Sequence, residues 1–134
     1  MTLQTGRASD EVKATFLRFV ESQNARDAAA VTNLLWASPD FLWVTTTAVT
    51  VWGRDAAMER FARNWRGTWE LQPHLEDLRI VELTADLALL HVPLMFTFAP
   101  SGQQAQPELI KWSGIFQRSD RGWRIAAILL ATVL

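Results

Sequence analysis

Few side chains in this sequence could transfer protons. His74, Glu76 and Asp77 lie close together in the chain, and His91 stands further along. A histidine or a carboxylate held in a dry pocket can act as a general acid or base. Because adjacent residues of a strand point to opposite faces, at most one of Glu76 and Asp77 would face such a pocket. His74, Glu76 and Asp77 are therefore the candidate catalytic residues, whereas we expect His91 to be structural and Asp40 to be a turn residue.

Several other kinds of chemistry are disfavoured by composition. The chain has no cysteine, so disulfides and thiolate sites are excluded, and its two histidines lack a metal-binding spacing. We expect neither a metal ion nor a cofactor. A formal net charge of −1 gives no reason to expect a nucleic-acid partner. No apolar segment is long enough to cross a membrane, and the N-terminus has no apolar signal core. We expect one domain over residues 1–134 of a soluble, cytoplasmic protein.

The first half of the chain predicts three helices and one hairpin. Ser9 is suited to cap a first helix, and Asp27 a second one that ends before Pro39. Residues 41–52 are rich in β-branched and aromatic side chains and predict a strand or a tight hairpin. Gly53 precedes a third helix with an apolar stripe, and this stripe is made of Met58, Phe61, Ala62 and Trp65. The three arginines of this segment, Arg60, Arg63 and Arg66, are expected on its solvated face, with an anion-binding site as the alternative.

The second half of the chain predicts strands over residues 69–83, 86–99, 108–118 and 122–133. Helices followed by a run of long strands indicate an α+β fold whose antiparallel sheet is covered on one face. The even-numbered residues from Ala88 to Phe98 and from Ile110 to Phe116 are apolar, and several are aromatic, so they are expected to face the helices.

The last predicted strand is apolar on both faces. Trp123, Ile125, Ala127 and Leu129 alternate with Ala126, Ile128 and Leu130. The helices can cover only one face, and a large exposed apolar patch is unusual in a monomer. We therefore expect a homodimer through the outer, convex face of the sheet.

The order of elements resembles the SnoaL-like branch of the nuclear-transport-factor-two-like, or cystatin-like cone, superfamily. The resemblance rests on three segments, "VWGRDAAMERF" at 51–61, "DLALLHV" at 86–92 and "IFQRSDRGWRIA" at 115–126. It implies a curved, mostly antiparallel sheet wrapped around the helices to enclose a pocket, with a convex face that commonly dimerises. Function does not follow from the fold, because such cones host several enzyme classes and binding domains.

The resemblance also implies that, at several positions where relatives carry a catalytic or polar pocket side chain, this sequence has a residue without that functional group. The oxyanion-donor tyrosine and the basic aspartate of ketosteroid isomerases fall on Phe19 and Thr45. The arginines of kinase association domains fall on Leu94, Gly114 and Leu130. The histidines of many SnoaL-like proteins fall on Ala127 and Leu129. At the position of Trp65, association domains place an aromatic residue in the pocket.

We therefore expect a dry, ring-lined cavity that binds a small hydrophobic molecule, either aromatic or polyketide-like. The expected ligand-binding residues are Trp43, Thr45, Trp65, Leu94, Phe96, Trp112, Phe116 and Leu130. Alternatively, these side chains simply fill the core. Two other functions stay open: an isomerase, dehydratase or cyclase that uses a single acid or base, and a dimerisation module without a cavity.

Overall fold

The computed structural model describes residues 2–133, in which three helices pack against one curved sheet. The helices are α1 (Thr2–Ala25), α2 (Ala28–Leu34) and α3 (Arg54–Asn64), with a 3₁₀ turn at Leu75–Asp77. The strands are β1 (Leu42–Val44), β2 (Thr50–Trp52), β3 (Thr68–Pro73), β4 (Arg79–Thr84), β5 (Leu87–Ala99), β6 (Pro107–Ser119) and β7 (Gly122–Thr132). This is the expected α+β cone.

The sheet is mixed and open. Its strand order is β2-β1-β7-β6-β5-β3, and β4 pairs with β5 beside β3. The β1–β7 pair is parallel, while the other pairs are antiparallel. The expected strand over 69–83 is wrong, because the 3₁₀ turn divides it into β3 and β4, which pair with successive parts of β5.

Two expectations about the helices need correction. Helix α1 begins at Thr2, so Ser9 lies inside it and does not cap it; its hydroxyl donates to Glu82 Oε2 at 2.9 Å. In α3, Ala62 is exposed, and the fully buried alanine is Ala57. Asp27 caps α2 as expected, since its carboxylate accepts the Ala30 N–H at 3.1 Å.

The concave face of the sheet carries the core. Most even-numbered residues of the two longest strands are buried there. In β5 they are Ala88, Leu90, Val92 and Leu94, each 0% exposed, and in β6 they include Ile110, Trp112 and Phe116, each at most 2% exposed. The expected alternation is therefore confirmed in these two strands. Gly114 stands among them because a Cβ there would lie 2.6 Å from two atoms of the Trp112 ring.

Strand β7 changes its alternation at Ala126. The register shifts between the Ile115–Ala127 and Phe116–Ile125 pairs, which leaves Ala126 as the extra residue of a β-bulge. Trp123 and Ile125 are buried before the bulge and Ile128 after it, whereas Leu129 is 41% exposed. The expectation that Ala127 and Leu129 share a face with Trp123 and Ile125 is wrong. The bulge accounts for part of the apolar run in β7. The segments before and after it face the core with residues of opposite parity, so each needs its own apolar residues.

Candidate functional site

A cavity of about 130 Å³ lies between α1, α3, the β1–β2 hairpin and the concave face of the sheet. Seven of its lining residues are aromatic: Phe19, Trp43, Phe61, Trp69, Phe96, Phe98 and Trp112. Their rings contact one another in pairs, such as Trp43 stacked on Phe61 at 4.3 Å between centroids and Phe96 edge-on to Trp69 at 4.9 Å. The wall is therefore mainly aromatic, with a few polar residues among the rings.

The cavity has a closed floor and an open mouth. On the floor, Phe19, Leu94, Ile110 and Trp112 are all at most 2% exposed. Of the other lining residues, Thr47 and Phe98 are exposed, whereas the polar Arg60, Asn64 and Thr46 are partly buried. A molecule entering between these side chains would place its far end against rings and aliphatic groups.

Gln23 is a buried polar residue in this apolar wall. It belongs to α1, is 0% exposed, and lies on the stripe that also carries Phe16, Phe19 and Val20. Its Oε1 accepts the indole N–H groups of Trp65 at 3.1 Å and of Trp69 at 2.9 Å. Because an indole can only donate, this pair fixes the orientation of the amide.

The amide nitrogen of Gln23 is left without a partner. Among the described residues, no atom accepts a hydrogen bond from Gln23 Nε2, although the side chain lines the cavity. An unsatisfied buried donor costs about 1–3 kcal/mol, so such groups are rare and call for an explanation.

Arg60 brings a second donor to the same cavity. It lies on α3, and its Nε is buried without a hydrogen-bond partner in the part of the chain described. Its guanidinium carbon is 6.0 Å from the centre of the Trp43 ring. The expectation that Arg60 belongs to the solvated face of α3 is wrong, whereas Arg63 and Arg66 are exposed. Arg60 follows Ala57 by three residues, which places it at the edge of the buried stripe.

The hydroxyl groups of the hairpin serve the turn. Thr45 is 7% exposed, and its Oγ1 accepts the Val49 N–H at 3.1 Å and lies 3.2 Å from Thr47 Oγ1. These bonds support a turn in which Ala48 has a positive φ of 63°. Thr45 therefore lines the cavity with a hydroxyl that already has partners.

The structure brings together most of the residues expected to bind a ligand. Six of them line the cavity: Trp43, Thr45, Leu94, Phe96, Trp112 and Leu130. Trp65 and Phe116 do not belong to the lining; Trp65 is buried behind Gln23, and Phe116 packs against Trp112 with ring centres 6.2 Å apart. The sequence analysis missed Gln23, Arg60 and Asn64. For Gln23, the available signal was a polar residue on an apolar helical stripe.

The candidate acids and bases lie elsewhere. The 3₁₀ turn after β3 contains Glu76 and Asp77 and is preceded by His74. Both carboxylates are exposed, and none of the three residues lines the cavity. Their potential ligand atoms lie within 4.8 Å of one another, but a surface acidic group alone does not make a metal site. On the convex side, His91 Nδ1 is 2.8 Å from Ser113 Oγ. No aspartate, glutamate or histidine is found among the described residues of the cavity wall.

The fold and this cavity define a cone-shaped α+β protein with a small pocket between its helices and its sheet. The family model for the SnoaL-like domain matches residues 12–130, so the chain belongs to the SnoaL-like domain family. Among curated proteins, none matches the chain. No helix within residues 2–133 has the length and apolar character needed to cross a membrane.

Solved structures share this fold at low sequence identity. A nuclear transport factor 2-like superfamily protein from Salmonella enterica has a TM-score of 0.84 at 16% identity, over 97% of this chain and 94% of that one. A hexachlorocyclohexane dehydrochlorinase from Novosphingobium barchaimii has a TM-score of 0.82 at 14% identity, over 100% and 92%. An uncharacterised protein with a cystatin-like fold from Caulobacter vibrioides gives 0.82 at 14% identity, over 96% and 91%.

Proposed function

We propose that the protein binds a small, mainly apolar molecule in this cavity and that the ligand carries a hydrogen-bond acceptor. The observation that carries the proposal is Gln23, whose Nε2 is fully buried in the ring-lined wall without a partner in the described chain. The oxygen of the same amide is held by two indole groups. The donor is therefore already oriented before any ligand enters, which lowers the entropic cost of binding.

The cavity volume limits the size of the ligand. About 130 Å³ is close to the ~150 Å³ of a protein cavity that holds benzene and well below the ~300 Å³ or more of pockets for drug-sized molecules. A single ring or a short branched chain fits this space. A multi-ring polyketide would have to leave most of its surface outside.

The energetics of such a ligand make polar anchors necessary. Burying about 200 Å² of ligand surface yields about 5 kcal/mol at ~25 cal/mol/Å², while association costs at least about 4 kcal/mol. Apolar contact alone would therefore give very weak binding. Hydrogen bonds from Gln23 and from Arg60 would bring the dissociation constant into the range of about 10–1000 µM.

The composition of the wall favours binding over proton-transfer catalysis. A dehydrochlorinase shares the fold, but the described wall of this cavity offers no carboxylate or imidazole as a base. His74, Glu76 and Asp77 lie outside it, which weakens the alternative of an enzyme with a single acid or base. A pure dimerisation module would not need an unpartnered amide in a hollow interior.

The experiment that tests the proposal is calorimetric titration with benzamide, a single-ring probe that carries an acceptor. We expect saturable binding at millimolar probe. Leu130→Trp should abolish it, because the larger ring fills the cavity that Leu130 lines. Leu17→Trp adds the same ring on the surface of α1, where Leu17 is 37% exposed, and should leave binding intact. Equal binding by both variants, or none by the wild type and other single-ring probes, would refute the proposal.

We also propose that two copies of the chain pair through the convex face of the sheet. Val81, Leu83, Leu109 and Leu129 are all at least 37% exposed on that side. Strands β5 to β7 span about 40 Å by 14 Å at ~3.3 Å per residue and ~4.8 Å between strands, and β1 and β4 widen this area. That approaches the ~800 Å² per partner of a standard interface. Sedimentation should give a dimer at micromolar concentration, and Leu129→Glu should shift it to a monomer.

A further inference from the structure

Arg60, the second donor of the cavity without a partner in the described chain, indicates the chemical class of the ligand. Arg60 is charged at all physiological pH values, and it is the one charged residue in the described wall. Its Nε is buried and makes no hydrogen bond there, and none of the ion pairs found among the described residues includes it. Burying this nitrogen without an acceptor is costly, because it loses its hydrogen bonds to water.

We infer that the ligand is a monoanionic carboxylic acid whose carboxylate binds to Arg60 at the mouth while its apolar part faces the floor. This inference rests on the proposed function, because it names the class of ligand for the same cavity. Arginine is suited to the role, since its planar guanidinium donates in a fork that matches both oxygens of a carboxylate.

The charges and donors of the wall favour a carboxylate over other anions. One arginine balances one negative charge, so a phosphate dianion would leave an uncompensated charge against apolar rings. A carboxylate offers about four acceptor positions. It can therefore accept from Arg60 and leave a further acceptor for the amide of Gln23, the other unsatisfied donor. A neutral hydrocarbon would satisfy neither donor.

The depth of the cavity gives the direction of the bound molecule. Among the lining residues, Arg60 is partly buried and Thr47 and Phe98 are exposed, whereas Leu94 and Trp112 are at most 2% exposed. A carboxylate at the mouth keeps part of its hydration, and the ring or alkyl chain lies on apolar side chains. The reverse orientation would place the carboxylate charge among buried rings, at a high cost in desolvation free energy.

Two acids and their amides of nearly the same shape test the inference. Calorimetric titration compares benzoate with benzamide and hexanoate with hexanamide against the wild type. We expect at least one acid to bind about tenfold or more tightly than its amide, since a charge-assisted hydrogen bond is roughly twice as strong as a neutral one. If both amides bind as well as their acids, the inference is wrong while the proposed function stands. If no probe binds, both are wrong.

Variants of Arg60 separate the charge from the shape of the side chain. Arg60→Met should weaken binding of the preferred acid at least about tenfold and change binding of its amide less than about threefold. Arg60→Lys, which keeps the charge without the fork, should be intermediate. Arg63→Met removes an exposed arginine from the same helix and should match the wild type. Circular dichroism verifies folding, and an unchanged acid-to-amide ratio in a folded Arg60→Met would overturn the inference.

Discussion

The two ends of the concave face carry the same kind of aromatic pattern, yet one end is solid and the other is hollow. At the packed end, Phe16, Phe116, Trp123 and Ile125 are at most 3% exposed, and none of them lines the cavity. At the hollow end, Trp43, Trp69, Phe96 and Phe98 surround the open space. Trp112 marks the boundary, because its ring is 4.9 Å from Phe16 and also forms part of the cavity floor.

The difference between the two ends comes from the residues that α1 and α3 direct at the sheet. At the packed end, α1 contributes Val12 and Phe16, which are both 0% exposed. At the hollow end, the corresponding helical positions carry Gln23 and Arg60. A polar group at such a position resists collapse, because apolar contact would leave its donors unsatisfied. The number of aromatic residues thus says little about a pocket, whereas a polar residue on an apolar stripe is informative.

The largest expected effect is the difference between truncating a ring at the packed end and one at the hollow end. Phe116→Ala should lower the free energy of unfolding by about 3–5 kcal/mol, because it creates a cavity in a filled core. Phe96→Ala should cost less than about 2 kcal/mol, since Phe96 already borders open space and is partly exposed. Urea denaturation of both variants measures the two values. Equal losses would mean that the hollow end is as tightly packed as the other.

The second-largest expected effect concerns Gln23, whose amide oxygen accepts hydrogen bonds from two tryptophans. Gln23→Met should lower the free energy of unfolding by about 2–4 kcal/mol, because two buried indole N–H groups lose their common acceptor. Gln72→Met replaces an exposed glutamine on β3 and serves as the control, with no measurable change expected. Urea denaturation monitored by tryptophan emission compares the two. A loss below about 1 kcal/mol would show that the network is not a structural element of the hollow end.

Much of the fold could be predicted from the sequence, and the failures have physical causes. Alternation along β5 and β6 predicted the concave face, because a strand buried on one side must repeat every two residues. The bulge at Ala126 could not be predicted, since an apolar residue on either side of it suits both faces. Likewise, the capping preference of Ser9 was overridden, because its hydroxyl finds the Glu82 carboxylate from a helix that begins earlier.

The candidate site was predicted in its apolar part and missed in its polar part. Alternation brings Leu94, Phe96 and Trp112 to one face whatever lies above them. Whether the space between helix and sheet is filled depends on how α1 and α3 approach the sheet, which no local pattern specifies. Arg60 illustrates the limit: it lies at the edge of a stripe, where a small rotation of α3 decides between solvent and cavity.

The smallest expected effect on stability tests whether Arg60 is kept for structure or for binding. Arg60→Met retains most of the alkyl stem and removes a guanidinium whose Nε is buried without a partner in the described chain. The free energy of unfolding should therefore rise by up to about 1 kcal/mol, as is common when a binding group is deleted from a strained site. Thermal denaturation measures the change, and Arg63→Met should leave the melting temperature unaltered. A marked loss of stability in Arg60→Met would mean that the guanidinium supports the fold, and the hollow end would then differ from the packed end in shape alone.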